Sequence, residues 1–306
     1  MSKQRERERI RLKKQQQGSR QLMVGGIVLI LIAGALFLFL NKNSESSGVR
    51  AISRLSTGDF HSLAFSPTEA ETIYFGHHGG LMVSYNGGKD WESTALKNAD
   101  AMALAIPLSD PQRMYAAGHD VFYTSTDGGM TWNSVQTNLP GTDIHGFVVD
   151  PENADHVFAH VVGFGIFSSE DGGNAWSLLS DAVPTSTFNL AVGETAQTLY
   201  AAAGEEGLWV SENAGETWSK LPDSPDAGAL AVTFVRADGR LYVSTLGNTA
   251  GLYVSGDGGQ TWTFTGLNGT VLAIAISPLD PDHIVAINDQ GEVFASRDGG
   301  TSWLDE

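Results

Sequence analysis

The chain has 306 residues, a formal net charge of −17 and no cysteine. The absence of cysteine excludes disulfides, so the fold must be stabilised by its own core, for which the chain is long enough. After residue 40 only ten basic side chains remain against 33 acidic ones, and this acidic surface disfavours nucleic acid and anionic lipid headgroups as partners.

The first 40 residues have the composition of a membrane anchor. Residues 1–21 carry eight basic and two acidic side chains, and residues 22–40 carry no charge. A helix over 22–40 would rise about 1.5 Å per residue and cross the roughly 30 Å hydrocarbon core. A cleaved signal peptide is the alternative, but residues 41–47 offer no good cleavage site.

The basic flank sets the predicted topology, because positive segments stay in the cytoplasm. We predict a cytoplasmic segment over residues 1–21 and a transmembrane signal-anchor helix over 22–40. A polar linker over 41–49 and an extracytoplasmic domain over 50–306 follow. The protein is thus expected in the cell membrane as a single-pass chain.

An eight-residue motif recurs six times in the extracytoplasmic part. Its best example, residues 125–132, has the pattern Ser-x-Asp-x-Gly-x-Thr-Trp. Its third position is occupied in chain order by Asn86, Asp127, Asp171, Asn213, Asp257 and Asp298. Its last position is occupied by Trp91, Trp132, Trp176, Trp218, Trp262 and Trp303. The tryptophans recur every 41 to 44 residues, a period typical of four-stranded propeller blades.

The motif contains the residues that a tight turn needs. Glycine at the fifth position tolerates positive φ, and the third side chain can accept hydrogen bonds from nearby backbone N–H groups. Asn86 and Asn213 keep the accepting oxygen without the charge, which favours a structural role over metal binding. The motif resembles the Asp-box, or BNR, repeat of sialidases, sortilin-type receptors and related propellers.

Six repeats predict an all-β, six-bladed β-propeller of four-stranded antiparallel blades with Asp-box turns, preceded by the transmembrane helix. The motif joins the third strand of each blade to the fourth. Because Trp303 lies close to the end of the chain, the sixth blade lacks an outer strand of its own. We predict that residues 49–55 supply it and close the ring.

The repeat order divides the loops between two faces. The Asp-boxes and the turns between first and second strands share one face, here called the box face. The loops between second and third strands, with the connectors between blades, share the opposite loop face. Functional residues are expected there, because its sequences vary most between the repeats.

Six of the eight histidines map to the loop face of blades 1–3, and Asp-x-His begins both blade 1 and blade 3. The predicted ligand-binding residues are His61, His77, His78, His119, His145, His160, Glu205, Glu206 and Asp289. The candidate ligands for a divalent transition metal are His61, His78, His119, His145 and His160. The alternatives are surface histidines that hydrogen-bond nearby turns, or a protonation-linked role. No cofactor is required by any other motif.

The resemblance to sialidases would imply an arginine cluster at the channel mouth, but Arg113, Arg236, Arg240 and Arg297 map to the box face. A hydrolase of neutral glycans needs only two suitably spaced carboxylates. The candidates by position are Asp59, Asp100, Asp120, Asp143, Glu205, Glu206, Asp226 and Asp289. The sequence does not select a pair among them.

The chain also resembles small bacterial membrane-anchored Asp-box propellers that are often described as glycosyl hydrolases, and the propeller factor that assists photosystem II assembly. These resemblances imply either a tethered binding and assembly module or a glycan-directed enzyme. We favour a module that binds a protein or glycan through its loop face, where Phe60 and Phe164 are expected to be exposed. Enzymatic activity is the less favoured interpretation.

Overall fold

The computed structural model describes residues 49–225 and 228–304. Regular structure in these ranges is β-sheet, apart from one turn of 3-10 helix at Gly247–Thr249. No helix within them is both long and apolar enough to cross a membrane. The predicted cytoplasmic segment, the anchor and the linker up to residue 48 lie outside the described residues.

Twenty-four strands alternate with short turns. The closing strand is β1 (Ser53–Arg54). Blade 1 contains β2 (Ser62–Phe65), β3 (Ile73–His77), β4 (Gly80–Ser84) and β5 (Glu92–Lys97). Blade 2 contains β6 (Ala103–Ala105), β7 (Met114–Gly118), β8 (Val121–Ser125) and β9 (Asn133–Ser134). Blade 3 contains β10 (Ile144–Asp150), β11 (Asn153–Val161), β12 (Gly165–Ser169) and β13 (Ser177–Ser180).

The second half of the ring repeats this arrangement. Blade 4 contains β14 (Asn189–Val192), β15 (Leu199–Ala202), β16 (Leu208–Ser211) and β17 (Ser219–Lys220). Blade 5 contains β18 (Ala229–Phe234), β19 (Leu241–Thr245), β20 (Gly251–Ser255) and β21 (Thr263–Asn268). Blade 6 contains β22 (Val271–Ile276), β23 (Ile284–Asn288) and β24 (Glu292–Ser296). All six sheets have four antiparallel strands, which confirms the predicted six-bladed propeller.

The sixth blade takes its outer strand from the amino-terminal side of the domain, as the strand count predicted. β1 pairs with β24, with Ser53 opposite Val293 and Arg54 opposite Glu292. On either side of this pair, the backbone N–H of Ile52 donates to Val293 O and that of Leu55 to Gly291 O, both at 2.8 Å. The side chains of Ile52 and Leu55 are buried in the core shared by blades 6 and 1.

Aromatic side chains of the second strands bind neighbouring blades together. Tyr115 and Tyr242 are at most 1% exposed. The Tyr115 hydroxyl donates to Ala154 O in blade 3 at 2.8 Å, and the Tyr242 hydroxyl donates to Gly299 O in blade 6 at 3.0 Å. Each buried phenol therefore has a hydrogen-bond partner in the next blade, which avoids the cost of an unsatisfied polar group.

The Asp-box at residues 125–132 shows how the motif forms its turn. Asp127 Oδ1 accepts the Thr131 N–H at 2.9 Å, and Ser125 Oγ donates to Asp127 Oδ1 at 2.8 Å while accepting the Gly129 N–H at 2.9 Å. The Trp132 indole donates to Gly129 O at 3.1 Å. The buried serine is thus as central to the turn as the aspartate, a role that the sequence analysis did not assign.

The asparagine versions form the same turn. Asn86 Oδ1 accepts the Asp90 N–H and Asn213 Oδ1 accepts the Thr217 N–H, both at 2.9 Å. Only an accepting oxygen is needed for this contact, which agrees with a structural role for the motif. In five boxes the tryptophan indole donates to the carbonyl of the glycine three residues earlier. Trp303 is the exception, because its indole donates to Thr265 O at 3.0 Å.

Ala214 breaks the glycine pattern at the fourth position of its box. Its φ is 56°, while the glycines at this position in the other five boxes have φ between 68° and 74°. A side chain in this left-handed region costs about 1–2 kcal/mol, partly offset by the greater freedom of glycine in the unfolded chain. We therefore expect Ala214→Gly to raise the free energy of unfolding by about 0.5–1 kcal/mol, measured by urea denaturation.

Gly258 provides the matched control for this prediction. It occupies the same position in the blade 5 box with φ of 73°, and a Cβ built on it would meet no atom within 4 Å. Gly258→Ala should therefore lower stability through backbone strain alone, by a similar amount of about 0.5–1 kcal/mol. If neither variant changes the urea midpoint, the fourth position of the box is not strained by a side chain.

Candidate functional site

The inner strands of the six blades surround a central channel of about 280 Å³. Most of the residues that line it are of apolar type, Leu104, Leu190 and Ile274 among them. His61, directly before the innermost strand of blade 1, also lines it. Because first strands run from the loop face to the box face, His61 marks the loop-face end of the channel.

Seven titratable side chains form a continuous chain of contacts at this end. We call them the Asp–His row, and in order of contact they are His61, Asp59, His78, Asp100, His119, Asp143 and His145. They come from the connectors that begin blades 1–3, from the β3–β4 and β7–β8 loops, and from the first residues of β10. Four of the six predicted loop-face histidines therefore meet across three blades.

In the blade 1 part of the row, Asp59 fixes His78. Asp59 Oδ2 lies 2.5 Å from His78 Nδ1, and Asp59 Oδ1 accepts the backbone N–H of His78 at 2.9 Å. The other nitrogen of His78, Nε2, lies 3.1 Å from His61 Nε2. Burial, reinforced by the neighbouring His78, lowers the pKa of His61 to about 4. His61 is therefore neutral at physiological pH.

In the blade 2 and 3 part, His119 lies between two aspartates. Asp100 Oδ2 is 2.5 Å from His119 Nδ1, and Asp143 Oδ1 is 3.0 Å from His119 Nε2. His145 Nε2 is 2.9 Å from the same Asp143 oxygen and 3.3 Å from His119 Nε2. The hydrogen bond to Asp100, followed by the close contact with Asp143, raises the pKa of His119 to about 10.

The two aspartates in this part stay ionised. Burial raises the pKa of Asp143, but contacts with His119 and His145 outweigh it and hold the pKa well below its usual range. The pKa of Asp100 is also lowered, because its hydrogen bond to His119 and the charge of His78 outweigh burial. The row therefore concentrates carboxylate charge and imidazole nitrogens at one accessible place.

Two predicted histidines lie beside the row. His77 Nδ1 is 3.9 Å from Asp59 Oδ1, but it accepts the Gly79 N–H at 3.1 Å and its ring stacks on Phe75, with ring centroids 5.6 Å apart. His160 on β11 is 1% exposed, and burial, with the nearby His145, lowers its pKa to about 4. His77 thus supports its own turn, and His160 is a core residue behind the row.

The predicted acidic residues of blades 4 and 6 are also separate from the row. Glu206 accepts the Ser186 hydroxyl at 2.8 Å, and Glu205 is exposed in the same loop. Burial raises the pKa of Asp289 in the β23–β24 loop.

The sequence did contain a signal for the row, since Asp59–His61 and Asp143–His145 are the two Asp-x-His pairs.

The expectation for Phe60 was wrong. It is 9% exposed and packs on Phe75, with ring centroids 6.1 Å apart, because the segment leading into β2 folds into the core between blades 6 and 1. Phe164 is exposed as expected, at 45%, and Phe188 is 41% exposed with its ring stacked 6.0 Å from His145. An aromatic surface therefore borders the blade 3 end of the row.

The arginines expected on the box face link blades there, and three of the four link neighbouring ones. Arg113 pairs with Asp155, Arg240 with Asp282 at 2.8 Å, and Arg297 with Glu71 at 2.7 Å. Arg236 reaches Glu152 at 3.0 Å. Within residues 49–225 and 228–304, no arginine forms an ion pair with the Asp–His row.

Comparisons with known proteins agree with this architecture. Residues 120–248 match the family model described as sortilin, neurotensin receptor 3, and residues 191–306 match that of the DUF6242 β-propeller domain. No match was found among curated proteins. Together with the structural similarities below, these matches support an Asp-box, or BNR-like, β-propeller family.

Among solved structures, the Niastella koreensis GH74 enzyme is similar with a TM-score of 0.63 and 18% identity over 84% of this chain. The chain spans 46% of that enzyme. YCF48 bound to a D1 peptide is similar with a TM-score of 0.56 and 17% identity, over 84% of this chain and 87% of that one. YCF48 from Cyanidioschyzon merolae has a TM-score of 0.53 and 18% identity, over 82% and 86%. At these identities the similarity concerns the fold.

Proposed function

We propose that this chain is a membrane-tethered, extracytoplasmic binding and assembly module that captures a protein partner on its loop face. The observation that carries the proposal is the accessible surface at the channel mouth, where the Asp–His row meets the exposed ring of Phe188 and where Phe164 is exposed in the β11–β12 loop. Such a surface combines charge, hydrogen-bonding groups and aromatic area, as recognition sites do. That YCF48 has been solved with a bound peptide supports the use of this fold in protein binding.

The tether is part of the proposal. Residues 1–21 are basic and residues 22–40 uncharged, so the first segment would stay in the cytoplasm and the propeller would lie outside. A tethered domain meets a membrane-associated partner at a higher effective concentration than a free one. A modest affinity at the loop face is then sufficient for capture.

A glycoside hydrolase is the second interpretation, and the row does not favour it. Glycosidases use one carboxylic acid with a raised pKa as proton donor. The pKa values of Asp100 and Asp143 are lowered instead. Asp289 has a raised pKa, but within the described ranges no ion pair or side-chain hydrogen bond joins it to the row. Binding without hydrolysis, to a protein or a glycan, fits these groups better.

Site-specific photo-crosslinking tests the proposed face directly. A photo-reactive amino acid placed at Phe164 or Phe188 of the full chain, in intact cells of its own host, should yield the same discrete protein adduct from both positions. Met130 and Leu279 are matched controls, since they are 71% and 51% exposed on the box face. They should yield no such adduct.

Two results would contradict this proposal. Adducts from the box-face positions alone would assign binding to the other face. Hydrolysis of xyloglucan or another neutral oligosaccharide by the purified protein, abolished by Asp59→Asn or Asp143→Asn, would replace the binding module with a glycosidase.

A further inference from the structure

We propose that His119 Nε2, His145 Nε2 and Asp143 Oδ1 bind one divalent transition metal ion, with zinc as the reference occupant. This site lies within the Asp–His row and names a ligand for the same face as the proposed function. Its evidence is separate, because it rests on the positions of three atoms and on the groups that hold them.

The three atoms form a compact triangle. Its sides are 2.9 Å from His145 Nε2 to Asp143 Oδ1, 3.0 Å from His119 Nε2 to the same oxygen and 3.3 Å between the two nitrogens. Ligands about 2.0–2.1 Å from a tetrahedral zinc ion are about 3.3 Å from one another. The triangle thus has nearly the size of one face of such a coordination shell.

Hydrogen bonding does not account for the position of the carboxylate oxygen. Asp143 Oδ1 is buried and, despite its closeness to both nitrogens, has no hydrogen bond of good geometry within residues 49–225 and 228–304. An unsatisfied buried oxygen is costly. Two imidazole nitrogens that converge on an unpaired carboxylate oxygen are the arrangement expected around a shared cation. Imidazole and carboxylate together suit zinc, copper, nickel or iron.

The Asp100 carboxylate holds His119 through its other ring nitrogen, as carboxylates commonly do for histidine ligands of metals. Asp100 Oδ2 accepts from His119 Nδ1 at 2.5 Å, so a metal ion that displaces the proton of Nε2 would meet the lone pair of a ring already held in place. Histidine ligands of metals commonly donate their other N–H to a carboxylate in this way, and the contact fixes both tautomer and orientation. Asp100 is therefore a positioning residue in this proposal.

The backbone also holds the ligands in place. His119 and Asp143 face each other in an antiparallel β-bridge, and the adjacent Asp120 N–H donates to Thr142 O at 2.8 Å. His145 follows at the second residue of β10. Ligands on paired backbone lose little freedom on binding, which is the condition for a preorganised site.

The blade 1 group is less suited to a metal. There Asp59 uses one oxygen for the His78 backbone N–H and the other for His78 Nδ1. Its nearer oxygen lies 4.0 Å from His61 Nε2. Only His61 Nε2 and His78 Nε2 are then close enough to share a metal ion, and no carboxylate oxygen of this group is placed to join them. At the proposed site, the side chains of His119 and Asp143 are 40% and 43% exposed, so a fourth position can face water or a group from a partner.

Calorimetry of the full chain tests the site. The protein is purified in detergent without a histidine tag, treated with a chelator and titrated with zinc chloride. One ion per chain is expected, and His145→Ala or Asp143→Asn should weaken binding at least 100-fold. Asp100→Asn should weaken it about 10–100-fold, the usual effect of removing a carboxylate that supports a histidine ligand.

Two histidine variants serve as matched controls. His77→Ala removes an imidazole from the same face outside the row, and His156→Ala removes one that lies between Asp150 and Glu170 on the box face. Both should bind zinc like the unchanged protein, and the circular dichroism melting curve of Asp143→Asn should show that this isosteric variant is folded.

The proposal is overturned if the unchanged protein binds none of zinc, copper or nickel, or if His145→Ala and Asp143→Asn bind as well as it does. Loss of binding in His156→Ala alone would also overturn it. The photo-crosslinking experiment tests the proposed function independently of the metal site. Zinc binding without a partner adduct would support the metal site and contradict the binding module. A partner adduct without zinc binding would support the binding module and contradict the metal site.

Discussion

Replacing both Ile52 and Leu55 with alanine is expected to lower the free energy of unfolding by about 4–10 kcal/mol, since each buried aliphatic truncation costs about 2–5 kcal/mol. Both side chains are buried between blades 6 and 1, at 7% and 5% exposure. They hold β1 against β24, which is the seam where the ring closes. Native domains have only about 5–15 kcal/mol of stability in total, so the seam is expected to open well below the melting temperature of the unchanged protein.

Urea denaturation, followed by tryptophan fluorescence, measures this effect. Arg50→Ala combined with Ser56→Ala is the matched control, because both residues are exposed in the same segment and should change stability by less than about 0.5 kcal/mol each. If the Ile52 and Leu55 double variant stays within 1 kcal/mol of the control, β1 does not contribute to ring closure in solution.

Replacing His283 with leucine is expected to stabilise the protein, and increasingly so at acid pH. His283 is 1% exposed, its ring packs edge-on against Phe65 at 4.7 Å, and neither ring nitrogen has a hydrogen-bond partner within the described ranges. Burial, with the nearby Arg297, lowers its pKa to about 4, although Glu71 and Asp280 oppose the shift. Removing the unsatisfied imidazole should add about 1–2 kcal/mol at pH 7.5.

The pH dependence of stability follows from the direction in which folding shifts the pKa of His283. In the unfolded chain His283 takes up a proton below about pH 6.5, whereas in the folded protein it does so only near pH 4. The folded state therefore loses stability as pH falls through this window. The advantage of His283→Leu should widen by about 2 kcal/mol between pH 7.5 and pH 5.0.

Urea denaturation at the two pH values measures this change. Leu279→Ala, an exposed substitution in the same turn, should keep a constant difference from the unchanged protein. A constant difference for His283→Leu as well would mean that the imidazole is protonated or hydrated inside the fold.

The architecture could be predicted because the same turn-forming motif recurs in each of the six blades. Each box fixes one turn through local contacts, as between Ser125, Asp127 and Gly129, and a local rule can be recognised in sequence. The closing strand was predicted from the number of strands after each motif, and β1 does pair with β24. Both features depend on spacing along the chain.

The connections within the Asp–His row could not be predicted in the same way. His119 and Asp143 come from different blades, and their approach depends on how adjacent blades pack and on the β-bridge between their backbones. Phe60 was misassigned for a related reason, because its connector turns inward against Phe75. The sequence grouped these residues on one predicted face, but the distances between blades depend on the packed ring.

The pairing of β1 with β24 has a consequence for the order of biosynthesis. Ser53 is made long before its partner Val293, and at about 5–20 residues per second the intervening roughly 240 residues take on the order of 10–50 seconds to translate. During that interval the earliest strand has no partner strand to pair with. The propeller can therefore close only after β24 has been made, and a circularly permuted gene that moved residues 49–55 behind the last blade would turn this late, long-range event into a local hairpin.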